Sequence, residues 1–557
     1  MIKTGAQILI DALLREGVEY VFGIPGGAVL PIFDVLYESP IKFILTRHEQ
    51  GAGHAADGYA RATGKVGVCL VTSGPGATNL TTAIATAYMD SIPVVAVTGQ
   101  VKTFLIGNDA FQEADIVGIT RPITKHSYLV KNVEDLAGVV KEAFYIANTG
   151  RKGPVLIDLP VDVTMEKCEE IIPTEVNLPG YKPRYEGNVR QIKAAADVIN
   201  NAKQPVVYTG GGIIASECSS ELLAFAEKGN LPVTTTLMGL GGFPEDHDLS
   251  LGMLGMHGTA YANYAVTESD VLIAIGARFD DRITGKIDEF APQAKIIHID
   301  IDPASISKSI SVDIPVVGDA INILRELNTH IQFAERKEWI DKIRQWKEKK
   351  PLSYSANGNV IKPQYVIEQI CEASQGNAII TTEVGQNQMW AAQFFTFTKP
   401  RTFLSSGGLG TMGYGFPAAI GAQLGCPGKY VVDIAGDGSI QMNIQELSTV
   451  ARYNIPVKIA ILNNGYLGMV RQWQELFYSK RYSSVCLNGN PDFVKLADAY
   501  GIKGFLIERA EDVRPTIEKA LVIKGPVVMD FKIDPTENVF PMVPAGQAIH
   551  RMIGTMA

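Results

Sequence analysis

The sequence has no concentration of positive charge. Its 50 lysines and arginines face 59 aspartates and glutamates, for a formal net charge of −9. No basic block stands out, so a nucleic-acid partner has no electrostatic footing. Long apolar runs are also missing: none approaches the ~20 residues that span a bilayer, and no membrane span is expected. Cysteine is sparse. The six thiols (Cys69, Cys168, Cys218, Cys371, Cys426 and Cys486) lie far apart without a CxxC pair. That argues against a zinc or disulfide framework and for free thiols in a reducing cytosol. The apolar stretch Ile8–Leu14 is broken by Asp11, and no cleavage-like site follows, so it does not read as a signal peptide.

What is present is a well-packed chain. Over 557 residues, hydrophobic residues make up 46% and charged residues 20%. The length suggests about three or four domains. Short β-branched runs alternate with turns and helical stretches, the mark of parallel α/β sheets. Ala6, Leu9, Ile10, Leu13 and Leu14 recur at helical spacing before Gly17, predicting a first helix. Buried strands are predicted at Val18–Phe22, Ile41–Leu45, Val66–Thr72, Pro93–Thr98 and Val155–Leu159. The pattern pauses over 166–188, which holds Pro173, Pro179 and Pro183. It restarts with Val206–Thr209, Val233–Thr236, Val271–Ile275 and Ile296–Ile301, then a charged helix over Ala334–Lys350. After a second pause come Ala378–Thr382, Tyr430–Ile434, Val457–Leu462 and Val527–Ile533. The expected organisation is three doubly wound parallel-sheet domains, 1–165, 189–345 and 366–557, joined by linkers at 166–188 and 346–365. The outer two echo each other: Gly153-Pro154-Val155 ends in Asp158 as Gly525-Pro526-Val527 ends in Asp530, and each block has a glycine loop, Ser73-Gly74-Pro75-Gly76 or Gly436-Asp437-Gly438.

Chemistry concentrates in the last block. Gly436-Asp437-Gly438-Ser439 follows one predicted strand, and Asn463-Asn464 follows another, 26 to 27 residues beyond Asp437. Adjacent parallel strands place such loops at one rim, where open α/β sheets bind ligands. The Asp437 carboxylate and Asn464 amide oxygen are hard donors suited to Mg²⁺. The glycines let backbone N–H groups approach an anion.

This spacing resembles the motif of the thiamine diphosphate-dependent enzymes. The resemblance implies that Asp437, Asn464 and the Tyr466 carbonyl hold Mg²⁺, with Gly438, Ser439, Gly465, Leu467, Gly468 and Met469 beside them. Val384, Gly385, Gln386 and Asn387 resemble the segment that holds the diphosphate; other members often have His where Asn387 stands. Gly410 and Met412 resemble the loop against the aminopyrimidine, with Met412 bending the cofactor. Glu49, in Arg47-His48-Glu49-Gln50, resembles the glutamate that hydrogen-bonds N1′ and so promotes formation of the thiazolium ylid. Gly27 and Gln112 are carried over as active-site residues.

Four further segments resemble the large catalytic subunits of the acetohydroxyacid synthases. They are Gly107–Glu113, Met253–Thr259, Gly276–Arg282 and Gly468–Gln474. The implied reaction is the decarboxylating condensation of two 2-keto acids, pyruvate with pyruvate or with 2-oxobutanoate, the first common step of branched-chain amino-acid synthesis. Arg282 would clamp a substrate carboxylate with its forked donors. Trp473 would favour ethyl over methyl, and Phe111 and Met469 would form apolar walls. The middle block in this family binds FAD without a redox step in the main reaction. Arg151, Gly210, Gly211, Gly212, Thr236, Leu237, Met256, His257, Gly276, Arg278, Asp300 and Ile301 fall at matching positions.

Lys102 and Val161 depart from the residues common in relatives at the substrate channel, so neither channel electrostatics nor herbicide sensitivity carries over. The resemblance also implies a homodimer or a dimer of dimers with active sites between chains, a small regulatory subunit and a cytoplasmic location. Two other readings use the same scaffold: a pyruvate oxidase or simple decarboxylase, and a non-catalytic cofactor-binding regulator.

Overall fold

In a computed structural model, residues 2–355, 358 and 360–554 are described. Three residues of the second expected linker, 356, 357 and 359, lie outside them. Three six-stranded sheets form the framework, and every strand pair within them is parallel. Continuous apolar runs such as Val155–Pro160 and Val271–Ile275 supply buried central strands, as required where helices cover both faces.

The first sheet runs Lys42–Leu45, Tyr20–Ile24, Gly67–Val71, Val94–Gln100, Val155–Pro160, His126–Leu129. The third runs Phe403–Leu404, Ile379–Thr382, Val431–Gly436, Lys458–Asn463, Val527–Lys532, Lys503–Ile507. Numbered by appearance in the chain, both have the order 2-1-3-4-6-5. The echo between the outer blocks is therefore one of topology as well as of short motifs. The middle sheet, Ser250–Met253, Val233–Thr235, Pro205–Thr209, Val271–Ile275, Lys295–Asp300, Ile314–Val317, has the order 3-2-1-4-5-6 of dinucleotide-binding folds. In each sheet the build-up reverses direction beside the strand that comes first in the chain. At those rims lie Gly26-Gly27, Gly210–Gly212 with Gly276, and Gly385 with Asp437.

Expected strands appear within a residue or two of their predicted limits. Within the three large sheets, five were not predicted: His126–Leu129, Ser250–Met253, Ile314–Val317, Phe403–Leu404 and Lys503–Ile507. All are sheet edges. Most are short or half-exposed, so they lack a continuous apolar signature. The predicted first helix is Gly5–Arg15, started by a capping box between Thr4 and Gln7. The preceding Ile2–Thr4 pairs antiparallel with Lys167–Glu169.

The first and third sheets meet through two helices, Glu49–Thr63 and Gly415–Gly425. Their contact is at backbone distance. A Cβ on Gly58 would overlap the Ala418 backbone, and one on Gly421 would overlap the Ala55 carbonyl oxygen. We expect Gly421→Ala to destabilise the protein by about 1–3 kcal/mol, the usual cost of overpacking, read as a lower urea midpoint.

Candidate active site

The rim of the third sheet brings three adjacent strand ends together. Val384–Asn387 follows Ile379–Thr382, Asp437–Ser439 follows Val431–Gly436, and Asn464–Tyr466 follows Lys458–Asn463. Together with Met412 and Leu467–Met469 they line one pocket of about 80 Å³. Of the residues expected there from this block, only Gly410 and Gly465 are not in its lining. Both have positive φ, 69° and 72°, a conformation that suits glycine.

Asp437 is buried. Its Oδ2 accepts a hydrogen bond from Asn490 Nδ2 at 2.6 Å, and Oδ1 accepts from the Asn464 backbone at 3.4 Å. Burial pushes its pKa up to about 6. These partners are neutral, so a hard cation would restore the balance, and the oxygen donors of Asp437, Asn464 and Tyr466 fit Mg²⁺. Among the described residues, no group of three or more His, Cys, Asp or Glu is placed to hold a metal ion. The Asp437 set has one carboxylate and needs ligand oxygens and water to complete it. Asn464 is held on both sides: its Oδ1 accepts the Tyr466 N–H at 3.0 Å, and its Nδ2 donates to Gln386 Oε1 at 3.2 Å. Gln386 in turn donates to Gln472 Oε1 at 2.9 Å. Asn387 spends its Nδ2 on the Glu383 and Ile434 carbonyls, at 3.0 and 2.8 Å, so its amide donors face backbone. The pocket also includes Trp390, whose buried Nε1 has no acceptor among the described residues.

A second cluster forms at the rim of the first sheet. Glu49 is the first residue of its helix, with His48 as N-cap. Asn79 Nδ2 donates to Glu49 Oε2 at 2.9 Å, and Gly76 packs against the same carboxylate. Gln112 has φ 57° and lies over Gly74, whose own φ is 58°. Any Cβ on Gly74 would meet the Gln112 backbone. Gly27 opens onto free space. The start of the Glu49 helix is fixed from the third block: Glu446 Oε1 accepts the Arg47 and His48 N–H groups at 2.9 and 3.0 Å. Glu49, Gln112 and Gly27 are not in the lining of the Asp437 pocket of the same chain.

The middle sheet carries a cleft of about 220 Å³. Arg151, Gly211, Gly212, Gly276, Arg278, Asp300 and Ile301 line it, along with the unforeseen Arg61, Lys152 and Arg401. Gly210 packs against Gly276, where a Cβ would overlap the Gly276 carbonyl oxygen. Several cations beside closely approached glycine backbone fit a dinucleotide pyrophosphate. Thr236, Leu237, Met256 and His257 do not line this cleft. Thr236 and Leu237 adjoin Met238, which does. His257 lines a separate cavity with Glu245, Tyr261 and Gln393, and burial lowers its pKa to about 4. The Met256 carbonyl accepts the Val543 N–H.

The substrate residues are dispersed in the single chain. Phe111 is 88% exposed, and the Arg282 side chain, 3.9 Å from Asp281, is 55% exposed. Met469 and Trp473 lie one helical turn apart on Gly468–Phe477, with Trp473 Nε1 unpartnered among the described residues.

Three family models match the chain: the thiamine pyrophosphate enzyme N-terminal TPP binding domain over residues 3–119, the central domain over 192–327, and the C-terminal TPP binding domain over 383–531. The probable acetolactate synthase large subunit of Methanocaldococcus jannaschii is 53% identical over 99% of this chain and 95% of that relative. The acetolactate synthase large subunit of Pyropia yezoensis is 51% identical over 99% and 95%. That of Corynebacterium glutamicum is 52% identical over 98% and 89%. The chain belongs to the acetolactate synthase large-subunit family of thiamine pyrophosphate enzymes. Its three sheets carry that family's three matched regions in order.

Sequence reasoning missed Asn490, Glu446 and Asn79. Asn490 is 53 residues from the aspartate it holds, and no local motif marks it. Asn490→Ala should weaken binding of thiamine diphosphate, titrated calorimetrically in the presence of Mg²⁺, by about 10- to 100-fold, the usual effect of removing a group that orients a ligating carboxylate.

Proposed function

We propose that this chain is the catalytic subunit of an acetolactate synthase. It condenses pyruvate with a second pyruvate to give 2-acetolactate and CO₂, or with 2-oxobutanoate to give 2-aceto-2-hydroxybutanoate and CO₂. The observation that carries this reading is the junction of Gln386, Asp437 and Asn464 at one rim, in a chain about half identical to acetolactate synthase large subunits along nearly its whole length. No helix among the described residues is long and apolar enough to cross a membrane.

Thiamine diphosphate, when bound, supplies the electron sink for loss of CO₂ from a 2-keto acid. The chain's residues bind, orient and move protons around it. Asp437, Asn464 and the Tyr466 carbonyl would hold Mg²⁺, which would neutralise charge on the diphosphate. Val384, Gly385 and Gln386 would present backbone groups to the same anion. Glu49 shares a proton with N1′ of the aminopyrimidine, and Asn79 keeps its carboxylate oriented. Gln112 contributes a polar group near the reacting carbonyl. Arg282 binds the carboxylate of the second keto acid. Trp473, Met469 and Phe111 enclose its alkyl group and disfavour water. Gly211 and Gly212, with Arg61, Arg151, Arg278 and Arg401 around them, would hold the pyrophosphate of FAD in the middle cleft.

The pocket of one chain lacks the Glu49 cluster, which presents its own open face at the first sheet's rim. A homodimer that sets each rim against the other chain's pocket completes two sites, and a dimer of dimers repeats the arrangement. The word "large" in the relatives' names supports a small regulatory partner subunit.

Incubating the purified protein with pyruvate, thiamine diphosphate, Mg²⁺ and FAD should give acetolactate by mass spectrometry. Acetyl phosphate or acetaldehyde as the main product would make it an oxidase or a decarboxylase, and no turnover would leave a regulator. Glu49→Gln should slow exchange of the thiazolium C2 hydrogen in bound cofactor by about 10²- to 10⁴-fold, the span of acid–base assistance. Exchange at the wild-type rate would remove Glu49 from that role.

A further inference from the structure

The loop 405–412 leads from the edge strand Phe403–Leu404 to Gly410 and Met412, and Met412 lines the Asp437 pocket. The loop's other end is anchored on the wall of the middle cleft. The Asp90 side chain is fully buried, and its two oxygens take separate backbone donors. Gly408 N–H donates to Oδ1 at 2.7 Å and Gly407 N–H to Oδ2 at 3.1 Å. Arg61 Nη2 donates to Asp90 Oδ2 at 2.9 Å, while its Nη1 donates to the Ser405 carbonyl at 2.8 Å. Arg61 Nε reaches Asp57 Oδ1 at 2.6 Å, which also accepts from Tyr414 Oη at 2.6 Å. One network thus grips the loop before and after its cofactor-facing residues. Met238 packs on Gly407 and Met89 on Gly408, at the distances where a Cβ would strike them. Arg61, Met89, Asp90 and Met238 all line the middle cleft.

We propose that Asp90 is a positioning residue that couples the two cofactor sites: a dinucleotide filling the middle cleft fixes the loop that bears Gly410 and Met412, and so tightens the thiamine site. This rests on the flavin and thiamine readings given above. The physical basis is differential contact. With the cleft filled, Arg61 and Met238 have one packing and Asp90 one hydrogen-bonding arrangement; with it open, these side chains have more freedom, and the loop shares it. Asp90 touches neither reacting group and acts through backbone N–H groups. An amide cannot replace its carboxylate, because the two glycine donors use different oxygens and one would face an NH₂ group.

The test uses the full chain, freed of cofactors, with calorimetric titration of thiamine diphosphate in the presence of Mg²⁺, with and without saturating FAD. In the wild type, FAD should lower the thiamine diphosphate Kd by about fivefold or more, within the usual range of coupling between sites, and thiamine diphosphate should lower the FAD Kd by the same factor. In Asp90→Asn the factor should fall toward unity while each cofactor still binds alone. Met238→Ala, which leaves the buried charges in place, should reduce it part of the way. Both cofactors binding the wild type without mutual effect would overturn the coupling and leave the flavin reading intact. Full wild-type coupling in Asp90→Asn would remove Asp90 from the role. If that variant does not fold, undiminished coupling in Met238→Ala overturns the proposal instead. Failure of FAD to bind the wild type would overturn the flavin reading itself, and this proposal with it.

Discussion

Two helices, Glu49–Thr63 and Gly415–Gly425, cross at backbone contact between the first and third sheets, and most of the functional architecture hangs from that crossing. Gly58 and Gly421 allow the approach; each lies where any side chain would collide with the other helix's backbone. The same pair carries or adjoins the catalytic candidates. Glu49 opens one helix, and the loop with Gly410 and Met412 runs into the other. Moving either helix outward by a methyl group would shift both halves of the chemistry at once. Close-packed interiors transmit such changes because they have little free volume to absorb them.

Charge is buried along the same seam. Arg61 and Asp57 sit one turn apart on the Glu49 helix, Asp90 comes from the neighbouring helix, and Tyr414 stacks its ring 5.2 Å from the Arg61 guanidinium. Taking charges out of water is costly, and a buried pair is weak evidence of stability by itself. Here each group is satisfied by several partners across three chain segments, including loop backbone. Such a network ties the loop backbone to the helices beside it. A second buried group serves a similar end: Glu383 accepts N–H groups of Gly413 and Phe416 at the start of the Gly415 helix, and burial raises its pKa above the usual carboxylate range.

Much of the fold was legible along the chain. Central strands announce themselves because both faces are buried, so their residues are apolar throughout, as in Val271–Ile275. Edge strands such as Lys503–Ile507 have one open side and mix charge with apolar residues, so periodicity does not single them out. In the candidate site, Asp437 and Asn464 stood out because each follows a recognisable strand, whereas Gln386, at the start of a helix, was marked only by the family resemblance. Asn490 and Asp90 did not stand out. They reach residues 53 and more than 300 positions away, and a contact across such a separation leaves no trace in local spacing. His257 shows the converse: a motif position suggested the dinucleotide cleft, while packing against the third block turns the residue toward another cavity.

The amino-acid sequence by itself determined the alternation of strand and helix, its recurrence in three blocks, and which glycine and hard-donor loops follow strands. Those properties follow from residues adjacent in the chain: apolar runs, turn glycines and hard oxygen donors one step beyond a strand. Only the tertiary structure decided that the two outer sheets share one strand order, that Glu446 caps the Glu49 helix, that the loop bearing Met412 is tied to the middle cleft, and that the Glu49 cluster is absent from its own chain's pocket. These depend on where whole sheets settle against one another. That placement is set by the summed packing of distant helices, and no short stretch of residues encodes it.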